Sequence, residues 1–160
     1  MNDHAAPVKL TRPQVKFPPP ALYGSAILLG WLFNFLVPVG LPSNSWIMGV
    51  GLAGVALGLS IIGWSAFEFR RHKTTILPHR ASSRIIQSGP FRFSRNPIYL
   101  AFAIIQINAA LLLNSLWILL LVPVCIVITN VFVIAKEEAF LTQAFGEEYI
   151  VFMQRVRRWI

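Results

Sequence analysis

Residues 96–135 read NPIYLAFAIIQINAALLLNSLWILLLVPVCIVITNVFVIA. No side chain in this run is charged, and the run is about twice the ~20 residues that take a helix across a bilayer. Asn114-Ser115 interrupts it near the middle with turn-forming residues. The reading is two helices, 97–113 and 115–135, joined by a short turn. A second uncharged stretch, Phe17 to Phe67, behaves alike. It breaks at Pro38-Val39-Gly40-Leu41-Pro42-Ser43-Asn44 and gives helices over 21–37 and 45–67. The predicted fold is all-α: an integral membrane protein with about four transmembrane helices in two hairpins, followed by a C-terminal cytoplasmic amphipathic helix.

Composition agrees. Of 160 residues, 56% are apolar and 12% charged, about half the charged share of an ordinary soluble domain. Six acids and fourteen bases are too few to build a polar shell. Disorder is excluded by the same numbers, and the length allows one domain. The lone Cys125 excludes a disulfide framework and a cysteine-based zinc cluster. It reads as a small buried apolar residue rather than a nucleophile.

All fourteen Lys and Arg fall outside the four helices. Lys9, Arg12 and Lys16 precede the first. Arg70, Arg71, Lys73, Arg80, Arg84, Arg92 and Arg95 lie between the second and third. Lys136, Arg155, Arg157 and Arg158 follow the fourth. With four crossings these three segments share one side, and the two turns on the other side are uncharged. The positive-inside rule puts both termini and the central loop in the cytoplasm, at the inner membrane if the source is bacterial. The net charge of +8 then suits anionic headgroups better than nucleic acid. The polar, proline-rich start is unlike a signal peptide. The domain reading is a flexible cytoplasmic N-terminus over 1–20 and a single membrane domain over 21–160, with a cytoplasmic loop at 68–96 and a C-terminal helix at 136–157. Trp31, Trp46, Trp64 and Trp117 lie near helix ends, as interfacial anchors do.

Gly49-Val50-Gly51-Leu52-Ala53-Gly54 matches G-x-G-x-x-G. It sits inside an apolar helix with no strand before it and no acid about twenty residues on, so it is not a dinucleotide site. Gly54 and Gly58 form a G-x-x-x-G pair, with Gly51 and Gly63 nearby, which reads as a helix-packing face.

Two segments carry chemistry. The first is Ser83 to Leu100, where polar and aromatic residues interleave before a membrane helix. Gly89-Pro90 is a turn. Asn96 is placed to cap the helix and Pro97 to begin it, and the free amides of that start favour a negative ligand group. The second, Lys136 to Ile160, opens Lys136-Glu137-Glu138 at the membrane boundary. A carboxylate there faces desolvation and needs a partner or a role. Phe140, Leu141, Phe145, Tyr149, Phe152, Met153 and Val156 recur at near-helical spacing. Glu147 and Glu148 read as solvated.

Together these segments resemble the integral-membrane methyltransferases. Ser88-Gly89-Pro90-Phe91-Arg92-Phe93-Ser94-Arg95-Asn96-Pro97-Ile98-Tyr99 is similar to their R-H-P-x-Y region. Glu137-Glu138, then Phe145-Gly146-Glu147-Glu148-Tyr149 and Val156-Arg157-Arg158, resembles their C-terminal signature. The family is that of isoprenylcysteine carboxyl methyltransferase, with phospholipid N-methyltransferases as relatives. The resemblance runs from near Thr74 to the C-terminus, about half the chain, and leaves the first two helices out.

It implies a site for S-adenosylmethionine between the C-terminal membrane helices and the cytoplasmic segments. Cofactor-contacting positions map to Arg84, Ile85, Ile86, Phe91, Asn96, Pro97, Tyr99, Glu137 and Glu138. Phe91 replaces a tyrosine. Asn96 replaces the histidine of R-H-P, which removes a titratable imidazole. The arginine that meets the substrate carboxylate in the isoprenylcysteine enzymes is Val133 here, so prenylcysteine is not carried over. Arg92, Arg95 and Asn130 are the candidates on the acceptor side, with Tyr99 beside them. The implied partner is a lipophilic acceptor entering from the bilayer. Were a base needed, the candidates are Glu68, Glu137, Glu138, His72 and His79, and no residue is assigned as catalytic. His72 and His79 lack the neighbours of a metal site. Two other readings are a small transporter and a non-catalytic membrane partner subunit. Ion-coupled carriers usually place an ionisable group inside the membrane, and these helices offer only Asn34, Gln106, Asn108, Thr129 and Asn130.

Overall fold

A computed structural model describes residues 18–42, 44–72 and 85–160. Most of the expected N-terminal lead-in, together with His79 and Arg84, lies outside them. The described chain is all helical. Helix α1 spans Pro19–Leu36 and α2 spans Ser45–Arg71. A 3-10 turn at Gly89–Arg92 leads to α3, Pro97–Leu112. Helix α4, Leu116–Thr129, runs through a π-helical segment, Asn130–Ile134, into α5, Ala135–Phe145. Helix α6 is Glu147–Arg155.

Among the described residues, three helical stretches are long and apolar enough to cross a membrane: Pro19–Leu36, Ser45–Arg71 and Leu116–Phe145. Helix α3 is apolar but has 16 residues, about 24 Å at 1.5 Å per residue, against a hydrocarbon core of ~30 Å. It is also the central helix, packed on α1, α2 and α4. That placement explains its polar residues. Gln106 is fully buried and donates through Nε2 to the Ile118 carbonyl at 3.3 Å. Asn108 donates to the Ile104 carbonyl of its own helix at 2.8 Å. Outward-facing Leu28, Leu32, Phe35, Leu52, Leu59 and Phe67 stay exposed, an apolar belt suited to lipid.

The sequence pairs α1 with α2 and α3 with α4 as hairpins. Packing keeps α3 on α4 but not α1 on α2: α2 lies mainly on α3 and α1 mainly on α4, so the first two helices barely touch although they are neighbours in sequence. The small-residue face of α2 sets the first contact. A Cβ added at Gly51 would meet Leu112, at Gly54 Asn108, and at Gly58 Ile105. Rising numbers on α2 meet falling numbers on α3, so the helices run antiparallel. The G-x-G-x-x-G stretch is thus a docking face, as its apolar setting implied. On α1, the Tyr23 and Thr129 hydroxyls lie 3.4 Å apart, and Ser115 Oγ donates to the Gly30 carbonyl at 3.3 Å. The two uncharged turns meet at one end: Leu41 N–H donates to Asn114 Oδ1 at 2.8 Å, and Leu116 N–H to the Val39 carbonyl at 3.0 Å. Asn114 adopts φ 46°, a left-handed conformation that asparagine tolerates.

Three expected boundaries change. Helix α2 runs on past Phe67 to Arg71, into the expected loop. The fourth helix does not stop at 135 but continues to Phe145, because the π segment bridges into α5 without a break. The single C-terminal helix expected over 136–157 is divided at Gly146, whose φ of +55° suits glycine and ends α5.

The α2–α3 contact gives a paired test. Gly54→Val places atoms where Asn108 now lies, and overpacking of this kind costs about 1–3 kcal/mol. Gly49 has open space around it, so Gly49→Ala is neutral or stabilising by up to about 1 kcal/mol. Thermal unfolding in detergent should separate the two, and equal melting temperatures would refute the docking face.

Candidate functional site

The site forms at the end of the bundle opposite the uncharged turns. Three segments meet there: the approach to α3 (Ser94–Tyr99), the α4–α5 junction, and a strap after α6 (Val156–Ile160). Pro97 opens α3 as expected. Asn96 occupies the cap position but makes no side-chain cap bond. Its Nδ2 turns away and donates to the Arg158 carbonyl at 3.0 Å, so the tail takes the donor that a cap would have left free. Ser94 Oγ accepts from Asn96 N–H at 3.1 Å instead. One turn into α3, the Tyr99 hydroxyl donates to Glu137 Oε1 at 2.8 Å.

The adjacent glutamates face different partners. Glu137 holds Tyr99. Glu138 is clamped by two arginines: Arg95 Nη2 lies 3.2 Å from its Oε1, Arg158 Nε donates to the same oxygen at 3.1 Å, and Arg158 Nη2 binds Oε2. Arg158 Nη1 also donates to Asn130 Oδ1 at 3.1 Å. The π segment makes this triple contact possible. An α-helix turns about 100° per residue, so eight residues would leave Asn130 about 80° from Glu138. The wider i→i+5 turn trims that rotation and lets both side chains reach one guanidinium. The main chain completes the strap, with Arg95 N–H donating to the Arg157 carbonyl at 3.0 Å.

Tyr149 of α6 is buried beside the clamp. Burial pushes its hydroxyl up to about 12, Glu138 adds to the shift, and the neighbouring Arg95 charge opposes it. Burial thus favours its neutral hydroxyl. Two atoms of Arg95, Nε and Nη1, are buried and find no hydrogen-bond partner.

A second cluster fixes the approach to the first. Glu68, in the last turn of α2, is 3% exposed. It accepts from Ser88 Oγ. His72 Nε2 lies 3.4 Å from Glu68 Oε2 and 2.9 Å from Ser88 Oγ. Both partners use the same imidazole nitrogen, so this is a latch and not a Ser-His-acid relay. Gly89, at φ +58°, passes so close that a Cβ would lie 2.7 Å from Glu68 Cγ. Phe91 is buried and packs edge-on to Phe69, with ring centroids 5.4 Å apart.

The structure brings Asn96, Pro97, Tyr99, Glu137, Glu138, Arg95 and Asn130 together. Phe91 and Ile86 are buried in the segment that leads there. Ile85 and exposed Arg92 make none of the site's polar contacts. Glu147 and Glu148 are exposed in the first turn of α6, where the helix dipole favours them. Sequence reasoning missed Arg158, Tyr149, Ser94 and Ser88 as partners. Arg158 belonged to a quoted signature, but no spacing rule reveals that the tail returns to Glu138.

The donor set suits a small zwitterion. Glu137 offers a carboxylate to a cationic group, and Arg95 offers free guanidinium hydrogens to an anionic one. S-adenosylmethionine, with its ammonium, sulfonium and carboxylate, fits that chemistry.

The comparisons bear on the same region. The phospholipid methyltransferase family profile matches residues 46–148, well over half of the chain, and takes in α2, which the motif resemblance had left out. The chain belongs to the phospholipid methyltransferase family. It is also 38% identical over 63 residues to an uncharacterized protein of Haemophilus influenzae, covering 39% of this chain and 100% of that one. No solved structure matches it. The protein is thus a membrane protein of a methyltransferase family whose substrates are lipid-related.

Glu138→Gln should destabilise the protein by about 2–4 kcal/mol. A fully buried pair that loses one partner costs about 3–5, and Arg158, 37% exposed, is partly relieved by water. Glu148→Gln should change stability by less than about 1 kcal/mol. Thermal unfolding in detergent checks both, and equal effects would refute the clamp.

Proposed function

We propose that the chain catalyses S-adenosylmethionine-dependent methyl transfer to a lipophilic acceptor at the cytoplasmic face of the membrane. The observation that carries this reading is the Tyr99–Glu137 hydrogen bond. It joins the α3 start to the α4–α5 junction, two motifs 38 residues apart, beside a buried arginine with free donors. A packing subunit needs no such convergence.

Bound there, S-adenosylmethionine would supply an electrophilic methyl carbon on a sulfonium, from which an acceptor attacking in line would displace the neutral thioether S-adenosylhomocysteine. The chain supplies position and electrostatics. Glu137, oriented by Tyr99, holds a cationic part of the cofactor. Asn96, tied to the strap, fixes the start of α3. Orientation of this kind contributes about 7–11 kcal/mol where the reacting atoms are held in near-attack geometry. Val131 and Phe132 of the π segment are exposed, and the acceptor approaches from the lipid that covers them.

Four crossings are part of this proposal. Both turns lie at one end, and α3 runs antiparallel to α2 between the two ends, so α3 is read as the fourth span despite its length. The basic residues then put both termini and the loop at 68–96 in the cytoplasm, within one membrane domain over 21–160. Cys125 is the single cysteine. In a Cys125→Ser background, a cysteine at Leu41 should react with an impermeant maleimide only from outside intact cells. A cysteine at Ile160 should react only after the membrane is opened. The reverse pattern would refute the orientation.

The activity is tested by calorimetric binding of S-adenosylhomocysteine to detergent-purified protein. Wild type should bind saturably, and Glu137→Gln should weaken binding about tenfold or more, the scale of one lost charged hydrogen bond. Folded wild type that binds nothing in detergents and nanodiscs would overturn the reading in favour of a partner subunit.

A further inference from the structure

Arg95, Arg158 and Glu138 carry two positive charges and one negative. The surplus falls on Arg95, whose side chain is 11% exposed. One of its nitrogens, Nη2, faces Glu138, while Nε and Nη1 are sealed from solvent without an acceptor in good geometry, although the Tyr149 hydroxyl interacts with the same guanidinium. Buried donors without partners are rare in folded proteins, and each one calls for an explanation. Tyr149 lies beside the guanidinium and as a neutral phenol can both donate and accept. The strap that passes this site is short. The strap rests on three bonds to its carbonyls: Arg95 N–H to Arg157, and Asn96 Nδ2 and Ser94 Oγ to Arg158. Arg157 and Ile160 are exposed. The strap can therefore lift without unfolding α6.

We propose that Arg95 and Arg158 form an oxyanion subsite, closed by the C-terminal strap, which takes a carboxylate or phosphate group of the ligand held at Glu137 or of its co-substrate. An oxyanion there accepts from Nε and Nη1 and balances the surplus charge, and Glu138 remains the anchor of the strap rather than a ligand group. The two glutamates then divide their work: Glu137 faces the ligand and Glu138 closes the lid. The identity of the ligand rests on the methyl-transfer reading, but the subsite does not. Its anion comes from one of two sources, the cofactor's carboxylate or a phospholipid's phosphate.

Calorimetry with two matched pairs of probes tests it on wild type, Arg95→Gln, Arg95→Lys and Arg158→Gln. One pair is S-adenosylhomocysteine and its decarboxylated analogue. The other is a short-chain phosphatidylethanolamine and the diacylglycerol with the same chains. In one pair, wild type should bind the anionic member about tenfold tighter or more. Arg95→Gln should erase that preference without changing affinity for the other member. Arg95→Lys should keep part of it, and Arg158→Gln should reduce it. The pair that shows the preference names the source. Wild type with no preference in either pair overturns the proposal, as does Arg95→Gln with both preferences intact. Should Arg95→Gln fail to fold, an unchanged preference in Arg158→Gln overturns it. Loss of binding by both members of the first pair would sink the methyl-transfer reading, while the second pair still decides the subsite.

Discussion

The Glu138 carboxylate holds the functional end of this molecule together. It takes Arg95 from the approach to α3 and Arg158 from the C-terminal strap, and it stands on the helix that continues α4. Three segments distant in sequence therefore share one acceptor. Charges this sheltered are costly unless paired, so removing any one leaves the others exposed to that cost. The strap's carbonyls then find donors on Arg95, Asn96 and Ser94. The position of Tyr99, and through it of Glu137, follows from the same arrangement.

The bilayer explains why the machinery gathers at one end. Within the hydrocarbon every backbone polar group must be satisfied along its own helix, which leaves the bundle middle little besides packing. The few polar side chains there, Gln106, Asn108 and Thr129, sit on buried faces and bond to neighbouring helices or to their own backbone. The glycine face of α2 brings it close to α3, and the Glu68 latch at its end fixes Ser88 and Gly89 just before the site begins. Helix α2 thus sets where the approach to α3 starts. A family profile that includes α2 is consistent with that role.

Much of this was legible in the sequence, for identifiable reasons. Uncharged runs broken by Asn114-Ser115 and by the proline-glycine turn mark helices because the bilayer imposes length and apolarity directly on the chain. Pro97 marks a helix start because its missing N–H costs nothing there. The motif singles out Glu137 and Tyr99, and the structure bonds them to each other. Asn96 was misread in its contact. It stands at the cap position without a side-chain cap bond, and its Nδ2 reaches a carbonyl 62 residues away, a contact that no local rule reveals.

The sequence by itself determined that this protein is helical and embedded, which end carries the charge, and which two motifs mark it as a member of a methyltransferase family. These properties follow from the solvent and from short-range rules. Only the tertiary structure decided that α2 docks on α3 and α1 on α4, that a π turn aligns Asn130 with Glu138, and that Arg158 returns to the site. It also decided that neighbouring glutamates serve different partners. Each of these depends on rotation about a helix axis and on contacts between residues far apart in the chain. Neither periodicity nor charge counting carries that information.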